Sequence, residues 1–282
     1  MLMCALLIAV PVTTESASAA VATNRTAKAK ISGWVTVQNG EKKYYKKGQY
    51  LKGCKKIEKN YYYFGPKGVM KTQDITSHGV TYFIERNGHV LGCRKGSRYM
   101  APDGRKLNKK QTAELRAYQN ARKVVARITT SDMTDAEKLQ RCFTWMQTNG
   151  FATQGRLSSG GKFWYAFNAN QLFMRRRGNC IPYACAMAYM AKVIGYKDVY
   201  ICSRGTKQQS FHTWTEINGV VYDSYFAKRR DADKYYGIKY DNFEYGVVFR
   251  QKLPEKYSWL SKLEQDRKCK SYCKTIAFIF GI

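Results

Sequence analysis

Between Ile181 and Tyr196 the sequence IPYACAMAYMAKVIGY holds one charged residue, Lys192, and sets apolar or small side chains on every face of the helix it implies. A helix with no polar side is stable in water only when other elements surround it, so the chain must build layers around this segment. The start of the helix is also legible. Gly178 suits a tight turn, Asn179 is a good N-cap, and Pro182 is tolerated because the first turn needs no intrahelical donor. That puts Cys180 on the first turn, where free N–H groups and the positive end of the helix dipole favour a thiolate, whereas Cys185 lies a turn deeper and reads as packing. Arg175, Arg176 and Arg177 add positive charge nearby, at least two of them as a solvated basic turn.

Two amphipathic helices precede this stretch. Leu115, Tyr118, Val125 and Ile128 recur at helical spacing, and Thr134 and Glu137 stand as a capping box ahead of Leu139, Cys142, Phe143 and Met146. Residues 150–174, rich in glycine and aromatics, carry only a weak pattern.

A thiolate nucleophile needs a general base, and residues 108–282 contain one histidine, His212. A lone histidine is more often structural, so its surroundings must decide. The segment FHTWTEINGVVYDSYF reads as two alternating runs joined by Asn218-Gly219, the strongest short hairpin signal. With Ile217 opposite Val220, the register pairs Glu216 with Val221, Thr215 with Tyr222, Trp214 with Asp223 and His212 with Tyr225. His212, Trp214, Val221, Asp223 and Tyr225 then share one face, and Phe211, Ile217, Val220, Tyr222 and Phe226 share the other, which is expected to meet the core. Asp223 becomes the diagonal neighbour of His212, about 7 Å away between backbones, close enough for a carboxylate to orient the imidazole.

The N-terminal third has a different texture. From Gly33 to about Leu107 the chain repeats at intervals near twenty residues, each unit carrying a short strand, a turn, an aromatic strand and a glycine at 48, 68, 88 or 104. Each unit is a β-hairpin, and hairpins that cannot bury an aromatic face alone must stack, here into a solenoid. Trp34, Tyr44, Tyr45, Tyr61, Tyr62, Tyr63 and Tyr82 are its candidate binding rings.

Charge and targeting signals bound the setting. The net charge is +29, and because Glu15 is the only charge in residues 1–22 the remainder carries +30, spread as +14 over 23–107 and +16 over 108–282. Such a field favours polyanions, wall polymers or lipid headgroups before nucleic acid, for which no specific binding is expected. Residues 1–22 join an apolar run to small-residue tripeptides and read as an export signal, with a 23–31 linker after it, and no other apolar run approaches membrane-spanning length. The eight cysteines beyond Cys4 show no compact disulfide framework, so mostly free thiols are expected, with Cys54–Cys93 and Cys269–Cys273 the pairs to test first.

Two resemblances follow from these residues. The repeats over roughly 32–107 resemble the cell-wall-binding, choline-binding-type repeats of secreted Gram-positive proteins, in which aromatic cages hold the choline of teichoic acids. The Gly-Trp pair of that family survives only as Gly33-Trp34, becoming Gly53-Cys54, Thr72-Gln73 and Gly92-Cys93, which puts choline itself in doubt and leaves wall attachment through tyrosines and lysines. RRRGNCIPYACAMAYMAKVIGY followed by HTWTEINGVVYDSYF resembles the transglutaminase-like superfamily of papain-type thiol enzymes.

That resemblance implies an α+β catalytic domain over 108–282, its central helix packed on an antiparallel sheet that includes DVYIC (198–202), with Cys180 as nucleophile, His212 as base and Asp223 as orienting acid. Trp164 and Gln171 are alternative oxyanion donors beside the Cys180 N–H. The implied protein is a secreted, wall-associated peptidase, amidase or cross-linking enzyme acting on peptide amides, with no metal or cofactor. The alternative is a non-catalytic wall-binding or adhesion protein on the same fold.

Overall fold

The structure, a computed structural model, describes residues 31–153, 164–205, 211–255, 257 and 259–260. The export signal, most of the 23–31 linker, Cys4, Cys269 and Cys273 lie outside the described residues.

The aromatic repeats form short antiparallel strands in three sheets. The first joins β1 (Gly33–Thr36), β2 (Lys42–Lys46) and β3 (Gln49–Tyr50), and the second joins β4 (Gly53–Ile57) and β5 (Asn60–Phe64). The third joins β6 (Ile75–Ser77), β7 (Val80–Ile84), β8 (Val90–Lys95) and β9 (Arg98–Met100). Their interior is small: Tyr63, Ile84 and Val90 are buried together, with Tyr82 packed on them.

At Asn108 the chain turns helical, as the periodicity predicts. The Asn108 side chain accepts a hydrogen bond from the Gln111 N–H and the Gln111 side-chain oxygen accepts one from the Asn108 N–H, a reciprocal cap on α1 (Lys109–Ile128). Thr134 and Glu137 cap α2 (Asp135–Asn149) in the same way, each such cap contributing about 1 kcal/mol. After β10 (Phe151–Ala152) come α3 (Trp164–Arg175), β11 (Arg177–Gly178) and α4 (Cys180–Ile194). β12 (Val199–Ser203), β13 (Thr213–Ile217) and β14 (Val220–Tyr222) follow, then α5 (Ser224–Arg229), β15 (Tyr236–Ile238) and β16 (Phe249–Lys252). The five longer-range strands make one antiparallel sheet in the order β15-β14-β13-β12-β16.

Helix α4 is the centre of this α+β arrangement. Every residue from Cys180 to Ala191 is buried, because α1, α2 and α3 contact it from one side and β12 and β13 from the other. The Thr215 hydroxyl donates to the Ala184 carbonyl at 2.8 Å and fixes the sheet on the helix.

Four sequence expectations change. Residues 164–175, inside the weakly patterned stretch, form α3: Tyr165, Ala169, Leu172 and Phe173 make a helical stripe that Asn168, Asn170 and the aromatics, poor helix formers, conceal. The hairpin register holds from Ile217↔Val220 to Thr215↔Tyr222, but β14 then stops, so the expected Trp214–Asp223 and His212–Tyr225 ladder pairs do not form. Phe211, expected to face the core, is 78% exposed. Finally, the left-handed turn before α4 belongs to Arg176 (φ 57°) and not to Gly178, whose chain pairs parallel with β10.

The β7–β9 end of the strand array and the helical domain share one core. Phe83, Leu91, Ala101 and Leu107 pack into the same cluster as α1 and α4, the Trp259 indole donates to the Leu91 carbonyl at 2.9 Å, and Arg122 on α1 pairs with Asp74 at 2.8 Å. At Gly92 the approach is so close that a Cβ would lie 2.8 Å from the Met100 carbonyl oxygen and 2.9 Å from Leu115 Cδ2. Gly92→Ala is therefore expected to destabilise the protein by about 1–3 kcal/mol through overpacking, read as a lower urea midpoint. A midpoint equal to that of the parent would mean that β8 and α1 can separate without cost.

Candidate active site

The N-cap expected at Asn179 forms: its side chain accepts the Ile181 N–H at 3.1 Å, which makes Cys180 the first helical residue. The sulfur is buried, with the residue 5% exposed, at the end of α4 where unpaired N–H groups and the helix dipole concentrate positive potential. Gly178 packs directly on Pro182, a Cβ there falling 2.7 Å from the proline ring, so the chain enters α4 on a fixed course.

His212 immediately precedes β13 and reaches α4 from the sheet. Its side chain hydrogen-bonds with Cys180, and its Nε2 lies 2.5 Å from Asp223 Oδ2. With Nε2 engaged, Nδ1 is the nitrogen left to the sulfur. Asp223 arrives by a different route from the diagonal strand position that the sequence suggests. It is the N-cap of α5, its Oδ1 accepting the Phe226 N–H at 3.0 Å while Oδ2 takes the imidazole. One carboxylate thus holds a helix end and a ring.

Aromatic rings fix the plane of the imidazole. Phe226 stacks on it at 3.8 Å between centroids and 10° between planes, and Tyr245, Trp214 and Tyr225 stand 5.4, 6.1 and 6.2 Å away. Trp214 is held in turn on the outer face of the sheet, its indole N–H donating to Tyr240 Oη at 3.2 Å and Tyr240 donating to Glu216 Oε2 at 2.9 Å. Arg250 pairs with the other Glu216 oxygen, and the Cys202 thiol donates to Oε2 at 3.5 Å. Both faces of β13 are covered, so the His212 side of the hairpin is as buried as the side expected to meet the core.

Burial alone would lower the His212 pKa, but the Asp223 hydrogen bond and then the Cys180 contact outweigh it and raise the pKa to about 9. At neutral pH the ring is an imidazolium between a sulfur and a carboxylate. Such a group stabilises a thiolate by charge and can give its proton to a leaving amine. The other described thiols have no such partner: burial pushes Cys54, Cys142 and Cys202 up to about 12 and Cys93 to about 11, and holds Cys185 well above the ordinary thiol value. All six described cysteines are free, Cys54 and Cys93 among them. Among the described residues no group of three or more His, Cys, Asp and Glu could hold a metal ion, and no helix is long and apolar enough to cross a membrane.

Of the two oxyanion candidates, Gln171 stands on the exposed side of α3, whereas Trp164 opens that helix with its indole N–H buried and without an acceptor among the described residues. In the array, Trp34, 41% exposed, meets Tyr44 at 5.2 Å and Tyr62 at 4.9 Å, edge to face. Tyr45 packs with Tyr50, Lys56 lies over Tyr61, and Tyr63 is buried against Tyr82 at 4.7 Å. Sequence reading did not single out Phe226 for its stacking, nor Tyr245, Glu216, Tyr240 or Arg250. Phe226 and Glu216 stood in the quoted hairpin; the others lie in stretches without a period.

A family model described as the transglutaminase-like superfamily matches residues 122–234, a span that includes Cys180, His212 and Asp223. No curated protein matches the chain. Among solved structures, the choline binding domain of Spr1274 in Streptococcus pneumoniae is 26% identical over 21% of this chain and 92% of its own, with a TM-score of 0.20. Alternansucrase in complex with isomaltononaose is 18% identical over 27% of this chain and 6% of its own, with a TM-score of 0.22. Likeness at those scores carries no structural argument.

The Asp223 bond has a measurable pH signature. A histidine whose folded pKa rises from 6.5 to about 9 adds stability that is complete below the unfolded value and is lost as pH rises through the folded one. Asp223→Asn keeps an oxygen for the α5 cap but gives up the charge. It is expected to be less stable than the parent by about 1–3 kcal/mol near pH 6 and nearly equal to it near pH 10, by urea titration at both. A gap that does not shrink with pH would assign the loss to the cap and not to the imidazolium.

Proposed function

We propose that this protein is a thiol acyl-transfer enzyme in which Cys180 is the nucleophile, His212 the general acid and base, and Asp223 the group that orients and charges the imidazole. The observation that carries the reading is the His212 ring bonded at one nitrogen to Asp223 and in hydrogen-bond contact with Cys180 through its other side. The family match over 122–234 supports it, since that superfamily is generally one of cysteine enzymes.

The chemistry follows from these positions. The Cys180 sulfur adds to an amide carbonyl, and the carbonyl oxygen gains the negative charge. The Cys180 N–H at the start of α4 is one donor for that oxyanion and the buried, unpartnered Trp164 indole N–H is the better supported second. As the C–N bond breaks, the imidazolium passes its proton to the nitrogen, leaving a thioester and a free amine. Neutral His212 then takes a proton from the acceptor that resolves the thioester: water gives a carboxylic acid and makes the enzyme a peptidase or amidase, and an amine gives a new amide and makes it a cross-linker. Hydrolysis is the favoured outcome, because water is the most abundant acceptor.

The setting proposed is outside the cell, at the wall. Residues 1–22 have the composition of an export signal, and the remaining chain carries +30. Trp34, Tyr44 and Tyr62 form a partly open aromatic cluster on the array, suited to a cation or a sugar face on a wall polymer.

Iodoacetamide at neutral pH, followed by peptide mapping, tests the central claim. Cys180 is expected to be alkylated on the order of a hundredfold faster than Cys54, Cys93, Cys142, Cys185 or Cys202, and His212→Ala to remove most of that advantage. Equal labelling of all six would leave a wall-binding protein on an enzyme-like scaffold.

A further inference from the structure

The rings around His212 carry arginines. Arg230 lies over Phe226 at 3.8 Å, and because the imidazole occupies one face of that ring at the same distance, the guanidinium must occupy the other. Arg229 lies over Tyr225 at 5.9 Å and Arg204 over Tyr245 at 4.9 Å. Three of the four rings nearest the imidazole are thus covered by a cation, and the pairing of these cations is unequal.

Arg230 is already paired with Glu244 at 2.5 Å and also donates to Tyr235 Oη at 3.1 Å, while Arg229 hydrogen-bonds with Tyr225. The other carboxylates of this region are also committed, Asp223 to His212 and Glu216 to Arg250. Arg204 is exposed and has no carboxylate partner among the described residues.

Its position in the sheet makes this significant. β12 and β13 pair Cys202 with Trp214 and Ser203 with Thr213, and the Arg204 N–H donates to the His212 carbonyl at 3.0 Å. Arg204 is the next cross-strand neighbour, opposite His212 and on the same face, with Cβ atoms about 5 Å apart in such a pair. An unpaired guanidinium, steadied over Tyr245, therefore stands beside the imidazole that faces Cys180. Guanidinium is suited to planar, bidentate recognition of a carboxylate.

Building on the acyl-transfer reading, we infer that Arg204 is a specificity residue of this site and that the acyl donor is an acidic peptide, with a carboxylate held by Arg204 next to the amide that Cys180 attacks. The overall charge of +29 would draw in any anion from solution. A local site differs in depending on one residue and surviving salt.

Alkylating agents separate the two without a known substrate. Iodoacetate and iodoacetamide have the same reactive carbon and differ in a carboxylate, so the ratio of their rates at Cys180 reads the local preference for that group. Measured in 0.5 M NaCl, where the screening length is roughly 4 Å, this ratio is expected to fall about three- to tenfold in Arg204→Gln, as for the loss of a direct guanidinium–carboxylate contact too short for salt to screen. It should be restored only in part by Arg204→Lys, which returns the charge without the planar fork, and be unaltered by Lys109→Gln, which removes an equal charge from the exposed start of α1. A ratio unchanged in Arg204→Gln, or lowered equally by Lys109→Gln, overturns the carboxylate site and leaves the thiol chemistry standing. Failure of Cys180 to react with either reagent overturns the acyl-transfer reading, and this inference with it.

Discussion

The two oxygens of Asp223 hold together what the rest of the site requires. Oδ1 takes the Phe226 N–H in the first turn of α5 and Oδ2 takes the imidazole, so the helix that starts there also delivers Phe226 as a stacking partner for the same ring. A carboxylate left only 1% exposed is costly unless both oxygens are used. Here each satisfies a group that would itself be expensive to leave unpaired. Position, ring plane and charge of His212 all trace to one side chain, and the thiol sees the result.

Opposite it stands a helix with no solvent side. α4 contributes a sulfur at its first residue and little else that is polar, and its neighbours exist to cover it: α1 to α3 on one flank, β12 and β13 on the other. Cys180 and Cys185 show how position alone divides one residue type into two roles. The first meets an imidazolium and free N–H groups, and the second, five residues on, is fully buried, which raises its pKa.

Much of this was legible because it is local. An apolar run with a single lysine dictates a buried helix, Asn179 ahead of it dictates where that helix starts, and Asn218-Gly219 dictates a hairpin whose first three pairs form in the expected register. Asp223 was assigned to His212 by the wrong geometry. Alternation continued past Tyr222 on paper, while in space the ability of an aspartate to cap a helix takes over, and the chain turns from strand to helix there. Tyr245, Tyr240 and Arg250 could not be read at all, since they come to the site across the sheet from loops and an edge strand whose sequence has no period. The helix over 164–175 was hidden by weak intrinsic propensity, and packing against α1 and α4 overrides that propensity.

The Trp259 bond to Leu91 and the tight approach of β8 to α1 at Gly92 make β7–β9 and the thiol-bearing helix parts of one interior. An appendage on a loose tether lets its cargo roam a volume set by tether length. A fused one works as a bracket. The direction in which Cys180 faces is therefore fixed relative to β7–β9, with no tether length to vary it.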